Sequence, residues 1–430
     1  MNAVPLESYT APWTGASKRN DHPWHSMCSY LGSFPPAIPR AFVQSLTEPH
    51  DVVFDPFSGR GTTLLEARIN GRFPVATDLN PIAIALTRAK NANVSIQSVF
   101  DRLDALEAKF QIPLYLPLAE VESDDIKLIY HQNTLAQLCY LKRRLGQSKT
   151  EVDAFIIGAL LGVMHGKPRK DGSSAYASIS MPNTFSMSPD YVRRFVATNQ
   201  LERPVRNVFE LLRHKVRRLF DAPPLGAPGI VGAADATRLP DFPQLSELKG
   251  QAKLIMTSPP YLDVVNYAKQ NWIRLWMLGE DVDAVHEALD DTLTPTQSID
   301  FMEDALDSMR EFLADDGSVV LVIGDVARSK NSVLSPARDL MRRLFAKRSF
   351  EYIGCISDYL EVEGKTTRIW KETKGKATAI DRVVILANSQ PNFRPVEMTK
   401  KVGQLELSET RYEFDAALMA DHAREFAGIG

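Results

Sequence analysis

Asp51-Val52-Val53-Phe54-Asp55-Pro56-Phe57-Ser58-Gly59-Arg60-Gly61-Thr62-Thr63 runs directly into Leu64-Leu65-Glu66-Ala67. An apolar run, a paired-glycine turn and a helical stretch read as strand, turn, helix. The glycines let the backbone approach a ligand closely, and the helix start behind them offers free N–H groups. A second apolar stretch, 73–76, ends at Thr77-Asp78-Leu79-Asn80. An acid closing the next strand about 20 residues after the turn suits a ribose diol. A dinucleotide dehydrogenase would carry G-x-G-x-x-G, whereas the pattern here is Phe57-x-Gly59-x-Gly61-Thr62. Asp55 suits a capping role in the turn, which is compatible with a place beside the ligand.

Far downstream, Lys253-Leu254-Ile255-Met256-Thr257 reads as a buried parallel strand that stops at Ser258-Pro259-Pro260-Tyr261. Two prolines remove two N–H donors and fix φ, so the strand end becomes a rigid loop. Such a loop holds carbonyls beside a serine hydroxyl and an aromatic face. Those groups hold a flat base by stacking and accept hydrogen bonds from its exocyclic NH₂. Alone, the same residues also describe an ordinary proline turn.

A chain of 430 residues with 44% hydrophobic and 24% charged residues has room for a catalytic domain plus an insertion. Cys28, Cys139 and Cys355 are scattered without CxxC spacing, which argues against a zinc site or a disulfide framework and fits a reducing cytoplasmic setting. Residues 1–20 lack an apolar segment of secretory type. The longest apolar run, 154–164, contains two glycines and is too short for a bilayer. No membrane association and no metal are expected. With a net charge of −3, a nucleic-acid partner requires a local basic patch.

Residues 91–228 interrupt the α/β rhythm. Helical periodicity covers 98–110, 127–145, 152–164 and 205–220, with a polar loop over 165–190. Between Lys142 and Arg218 stand fifteen basic residues against six acidic ones, a local excess of nine that leaves the rest of the chain at −12. Such segregation is what a phosphate footprint requires, although a solvated helix face also explains runs such as 213–218. Lys167, Arg169 and Lys170 in the polar loop are candidate phosphate contacts. Tyr176, Asn183 and Phe185 of that loop suit either base contacts or packing. Beyond the Pro-Pro loop, 265–278 is helical and aromatic-rich; Trp272 and Trp276 suit a core, while Lys269 and Arg274 are further candidates to reach phosphate. An amphipathic helix (298–313), a buried strand (317–324), a helix (336–345) and strands at 352–357 and 382–387 follow. The stretch 361–377 reads as a basic loop, and the tail carries a helix from about Asp415.

The combination Asp-Pro-Phe-Ser-Gly-Arg-Gly-Thr-Thr and Thr-Ser-Pro-Pro-Tyr resembles the S-adenosylmethionine-dependent amino-methyltransferases of DNA, over roughly 22–90 and 230–390. The resemblance implies an α/β fold: a seven-stranded, mainly parallel, Rossmann-like methyltransferase sheet with a largely helical insertion. It implies that Asp55, Phe57, Gly59, Gly61 and Thr62 line the S-adenosyl-L-methionine pocket, that Asp78 holds the ribose hydroxyls, and that Phe34 with Pro35 covers the methionine end. Gly232-Ala233-Ala234-Asp235-Ala236 resembles the strand whose acid, Asp235, contacts the adenine amino group. The organisation expected is a lead-in (1–21), a cofactor part (22–90), a basic helical insertion for DNA recognition (91–228), a catalytic part (229–399) and a tail (400–430).

By the same resemblance, Ser258, Pro259, Pro260 and Tyr261 carry methylation of cytosine N4 in a base flipped out of double-stranded DNA. Hydrogen bonds from the amino group to the Ser258 hydroxyl and the Pro259 carbonyl free its lone pair, and Tyr261 stacks on the ring. Asp263 suits either taking up the departing proton or capping the next helix. No cysteine stands in the Pro-Cys context that a ring-carbon methyltransferase needs. Adenine N6 methylation, RNA base methylation and a non-catalytic nucleic-acid-binding module are the alternatives. A cognate restriction endonuclease is a possible but unnecessary partner, a nucleoid-associated place in the cytoplasm is expected, and the oligomeric state is not legible.

Overall fold

The computed structural model describes residues 21–146, 149–168, 173–181, 187–260, 267–289, 293–329, 332–347, 349–359, 377–388 and 412–415. Its strands are β1 (Val52–Asp55), β2 (Phe73–Asp78), β3 (Ile230–Ala233), β4 (Ala252–Thr257), β5 (Leu313–Ser329), β6 (Ser332–Leu334), β7 (Phe350–Tyr359), β8 (Ala377–Asn388) and β9 (Tyr412–Asp415). All join one sheet in the order β3-β2-β1-β4-β5-β8-β7-β9, with β6 folded back on β5. Strands β3, β2, β1, β4 and β5 are mutually parallel. Strand β8 runs antiparallel to both β5 and β7. Without β6 and β9 this is the seven-stranded, mainly parallel α/β sheet of the Rossmann-like methyltransferase fold.

Burial on both faces explains the apolar runs. All four residues of β1 are buried, as expected for a parallel strand covered on each side. Helices Pro295–Arg310 and Pro336–Lys347 contribute Met302, Leu306, Leu340 and Leu344 to the core on one face. Helix Ala37–Leu46 contributes Ile38, Phe42 and Val43 to the other. A third core joins helix Pro81–Asn91 to the helices that separate β2 from β3.

Those intervening helices differ in detail from the sequence reading. The run 127–145 is broken into Asp124–Ile129 and Gln132–Leu145, because His131 caps the second helix by accepting from Asn133 N at 3.2 Å. Ile112–Glu120 and Pro189–Asn199 are additional helices. The first carries Pro113 and Pro117, whose presence argues against a helix in sequence terms. Strand β9 lies in the tail beyond the last strand read from sequence, and its Tyr-Glu-Phe-Asp alternation is a period-two signal. The 361–376 part of the basic loop and the tail after Asp415 lie outside the described residues.

The charge segregation seen along the chain is partly cancelled in space. Arg193 pairs with Asp125 and Asp190, and Arg213 with Asp104 and Glu107. Arg217 lies over Phe100, and Lys215 is buried with its ammonium donating to Ser26 O at 2.6 Å. Acids from 101–125, which the count over 142–218 left out, therefore neutralise part of it.

The segment 22–36 is an arm pinned across the helices. His25 meets Glu66 at 2.7 Å, and Arg40 donates to both oxygens of Glu66. A Cβ on Gly162 would fall 1.9 Å from Met27 O, so only glycine lets the arm lie this close to the end of helix Glu151–Leu161. No helix among the described residues is long and apolar enough to cross a membrane.

Candidate functional site

The chain leaves β1 for β2 and β3 on one side, then returns to β4 on the other. A crevice opens at such a switch point, at the carboxyl ends of the strands. Here the cleft is lined by Asp55 from the end of β1, Asp78 from the end of β2, and Ser258 and Pro260 just past β4. Its cavity volume is about 90 Å³, and the rest of its space lies open to solvent.

The glycine turn forms the floor. Gly59 and Gly61 adopt φ of +50° and +71°, in the left-handed region that favours glycine. A Cβ on Gly61 would meet Thr87 Oγ1 at 3.0 Å and its Cα at 3.2 Å, so this glycine seats helix Thr62–Ile69 against helix Pro81–Asn91. No side chain caps helix Thr62–Ile69, whose first residue, Thr62, lines the cleft.

Asp78 is fixed from two sides. Its Oδ2 accepts from Gly59 N at 2.8 Å and its Oδ1 from Asn80 N at 2.9 Å. Burial pushes its pKa up to about 6 against the pull of these donors. Asp55 is buried more deeply, and desolvation pushes it up to about 7 although Thr257 donates to it. That bond, Thr257 Oγ1 to Asp55 Oδ1, is 2.7 Å, and Thr257 Oγ1 also accepts from Phe57 N at 3.2 Å. One buried hydroxyl thus joins the glycine turn to the residue that precedes Ser258. The Ser258 hydroxyl donates to Val322 O on β5 at 2.8 Å, so its proton is committed to that carbonyl.

Phe34, Phe57 and Thr62 also line the cleft. Pro259 stands in the Pro-Pro loop between the two lining residues. Tyr261 and Asp263 lie outside the described residues. Asp235 is not among the lining residues; its carboxylate accepts from Thr237 N and Oγ1 at 2.9 and 2.8 Å in a turn after β3.

Of the candidate phosphate contacts, Arg274 is excluded by its surroundings. It is 1% exposed and donates to Leu161 O, Asn271 Oδ1 and Ser29 Oγ. An arginine after an aromatic run read as surface, but here it ties the arm to two helices. Lys167 and Lys269 are exposed, away from the cleft lining. Arg169, Lys170, Asn183 and Phe185 lie outside the described residues. Tyr176 packs against Gly166, where a Cβ would fall 2.3 Å from its ring. Trp272 is buried, as a core role requires, and its indole N–H donates to Met187 O.

Several lining residues carried no signal of their own. Tyr30 and Tyr267 stack with ring centroids 6.0 Å apart, and Asn80 Nδ2 donates to the Tyr30 hydroxyl at 3.0 Å. Gly32, with φ +72°, has its Cβ position 2.6 Å from the Tyr267 hydroxyl. The arm that brings Tyr30 here is aromatic and turn-rich without periodicity, so sequence gave its position no direction. No group of three or more His, Cys, Asp or Glu suited to a metal ion occurs among the described residues.

Residues 7–88 match the N6/N4 methylase family model, described as DNA methylase. A segment of 132 residues is 26% identical to the type II methyltransferase M.MjaII of Methanocaldococcus jannaschii. That match covers 30% of this chain and 25% of the relative, so the chain spans about a quarter of the relative's length. Both matches point to DNA methyltransferases. Among solved structures, the rRNA methyltransferase aviRa of Streptomyces viridochromogenes overlaps 88% of this chain and 96% of its own at a TM-score of 0.35 and 11% identity. TrmN of Thermus thermophilus overlaps 85% and 52% at 0.29 and 12%. A candidate DNA modification methylase of the same organism, solved with S-adenosyl-L-methionine, overlaps 37% and 53% at 0.23 and 18%. Superpositions this loose carry no argument about substrate.

Proposed function

We propose that the protein is an S-adenosyl-L-methionine-dependent DNA methyltransferase acting on an exocyclic amino group, with cytosine N4 as the acceptor. One observation carries the reading: the cofactor turn and the Pro-Pro loop open into one cleft, with Asp78 and Ser258 both in its wall. The match of residues 7–88 to DNA methylases supports the same class.

The residues present fit the cofactor. Asp78 offers the diol a carboxylate held by two backbone N–H groups, and the uncapped helix start at Thr62 suits the cofactor's carboxylate. Gly59 leaves its edge of the turn without a side chain. Phe34 and Phe57 supply apolar wall. When bound, the cofactor supplies an electrophilic methyl group on a sulfonium.

The acceptor side belongs to the chain's own residues. An aryl amino group is a poor nucleophile because its lone pair is delocalised into the ring. Ser258 Oγ, its own proton given to Val322 O, accepts one amino N–H, and Pro259 O accepts the other. Two acceptors favour a pyramidal nitrogen, localise its lone pair and stabilise the positive charge that develops there. Flipping the base out of the duplex brings it to this loop, with Tyr261 stacked on its face. The helices between β2 and β3 serve DNA recognition. Nucleoside mass spectrometry of a methylated duplex tests the acceptor: N4-methylcytosine is expected, and N6-methyladenine alone overturns it.

The two raised carboxyls set a pH dependence. Asp55 and Asp78 hold protons up to about pH 7 and about pH 6 in the free protein. Binding a cationic cofactor favours their ionised forms, so affinity rises from about pH 5 to about pH 8 and then levels. Stability of the free protein has the opposite sign. Between the unfolded and folded pKa values the folded state binds more protons, so these groups cost stability as pH rises through about 4 to 7. Calorimetric titrations and thermal melts across this range check both trends. Asp55→Asn is expected to flatten both, and an affinity independent of pH would contradict the assignment of these carboxyls to the cofactor.

A further inference from the structure

A second groove runs along helix Pro81–Asn91. It begins at Leu79, next to the cleft residue Asp78, and reaches Arg88. Its other wall comes from the end of helix Gln132–Leu145 and the start of helix Glu151–Leu161, which bring Lys142 and Lys149. Its cavity volume is about 690 Å³, inside the roughly 300–1,000 Å³ range of small-molecule sites, so its lining rather than its size says what it holds.

The charge of the groove is one-sided. Arg88, Lys142 and Lys149 face a single lining carboxylate, Glu280. Arg193 and Arg213 elsewhere in the insertion are tied to acids, but these three form no ion pair among the described residues. Lys142 is held with its ammonium 4.7 Å from the centroid of the Trp276 ring, whose indole N–H donates to Glu122 at 2.7 Å. The floor is aliphatic, with Ile84, Ile157 and Leu160. A cleft lined by one sign of charge over low-dielectric walls focuses its field on a counter-charge.

We propose that this groove holds the phosphodiester backbone flanking the target base in DNA, with Arg88, Lys142 and Lys149 as phosphate contacts. The proposal rests on the DNA-methyltransferase reading and adds where the strand leaves the site. From Pro81 to Arg88 the helix rises about 10 Å, the length of about three base steps at 3.4 Å each. The groove is thus long enough to follow about three nucleotides of the strand. These contacts carry no sequence preference; they fix register.

The test is duplex binding by fluorescence anisotropy over a salt series, with the triple variant Arg88→Gln/Lys142→Gln/Lys149→Gln beside the wild type. Each lost phosphate contact removes about 0.9 from the log–log slope, so the triple variant is expected to be shallower by about 2.7. Its affinity for S-adenosylmethionine, measured by calorimetry, is expected to stay unchanged. If the triple variant fails to fold, Arg88→Gln and Lys149→Gln, both exposed, serve singly with about 0.9 each. A slope equal to wild type in a variant that binds the cofactor overturns the groove and leaves the enzyme assignment standing. A wild type that binds cofactor but no duplex DNA overturns both. A wild type that prefers RNA, with a slope the triple change flattens, overturns the DNA assignment and makes the groove an RNA track.

Discussion

Asp78→Ala is expected to weaken S-adenosylmethionine binding on the order of 10²-fold. Asp78 ends β2 with each oxygen already accepting one backbone N–H, from Gly59 and Asn80. Those bonds aim the remaining lone pairs into the cleft, where a diol can donate to them. Removing the side chain loses a hydrogen bond to a charged group, about 1.5–3 kcal/mol, and leaves the Gly59 N–H without its acceptor. Asp78→Asn keeps the shape and one acceptor oxygen, so it falls between wild type and alanine. Calorimetry reads both, and an affinity unchanged in Asp78→Ala would remove the carboxylate from the cofactor site.

Ser258→Ala is expected to lower kcat by about 10²- to 10³-fold, the loss seen when one preorganised electrostatic partner of a transition state is removed. The hydroxyl is preorganised because Val322 O takes its proton and Ser258 lines the cleft, and on the proposed mechanism it accepts from the amino group. An amino nitrogen that becomes positive as it is methylated interacts with that acceptor more strongly than the ground state does. The loss therefore falls on kcat, with cofactor affinity intact, since Ser258 belongs to the acceptor side. Full activity in Ser258→Ala would overturn this mechanism.

Much of the sheet was legible because parallel strands buried on both faces write continuous apolar runs, as in 52–54 and 253–257. Asp55, Asp78 and Ser258 were legible for a related reason: each ends such a run. The bond that joins Thr257 to Asp55 was not. Two residues about 200 positions apart meet only because β4 pairs with β1, a register no local pattern states. Tyr30 was equally hidden, because its place follows from how the arm is pinned by Glu66, Lys215 and Arg274. Arg274 misled for the opposite reason: its charge read as surface, but three acceptors wait for it in the interior. The basic tract misled because charge was counted along the chain, while Arg193 and Arg213 find their acids on other helices.

The most direct test of the central claim is transfer of an isotopically labelled methyl group from S-adenosyl-L-methionine to duplex DNA, with RNA in parallel. The account predicts label in DNA with wild-type protein, little in RNA, and label lost in Ser258→Ala although that variant still binds the cofactor. Cofactor binding by the wild type with no label in DNA would contradict it.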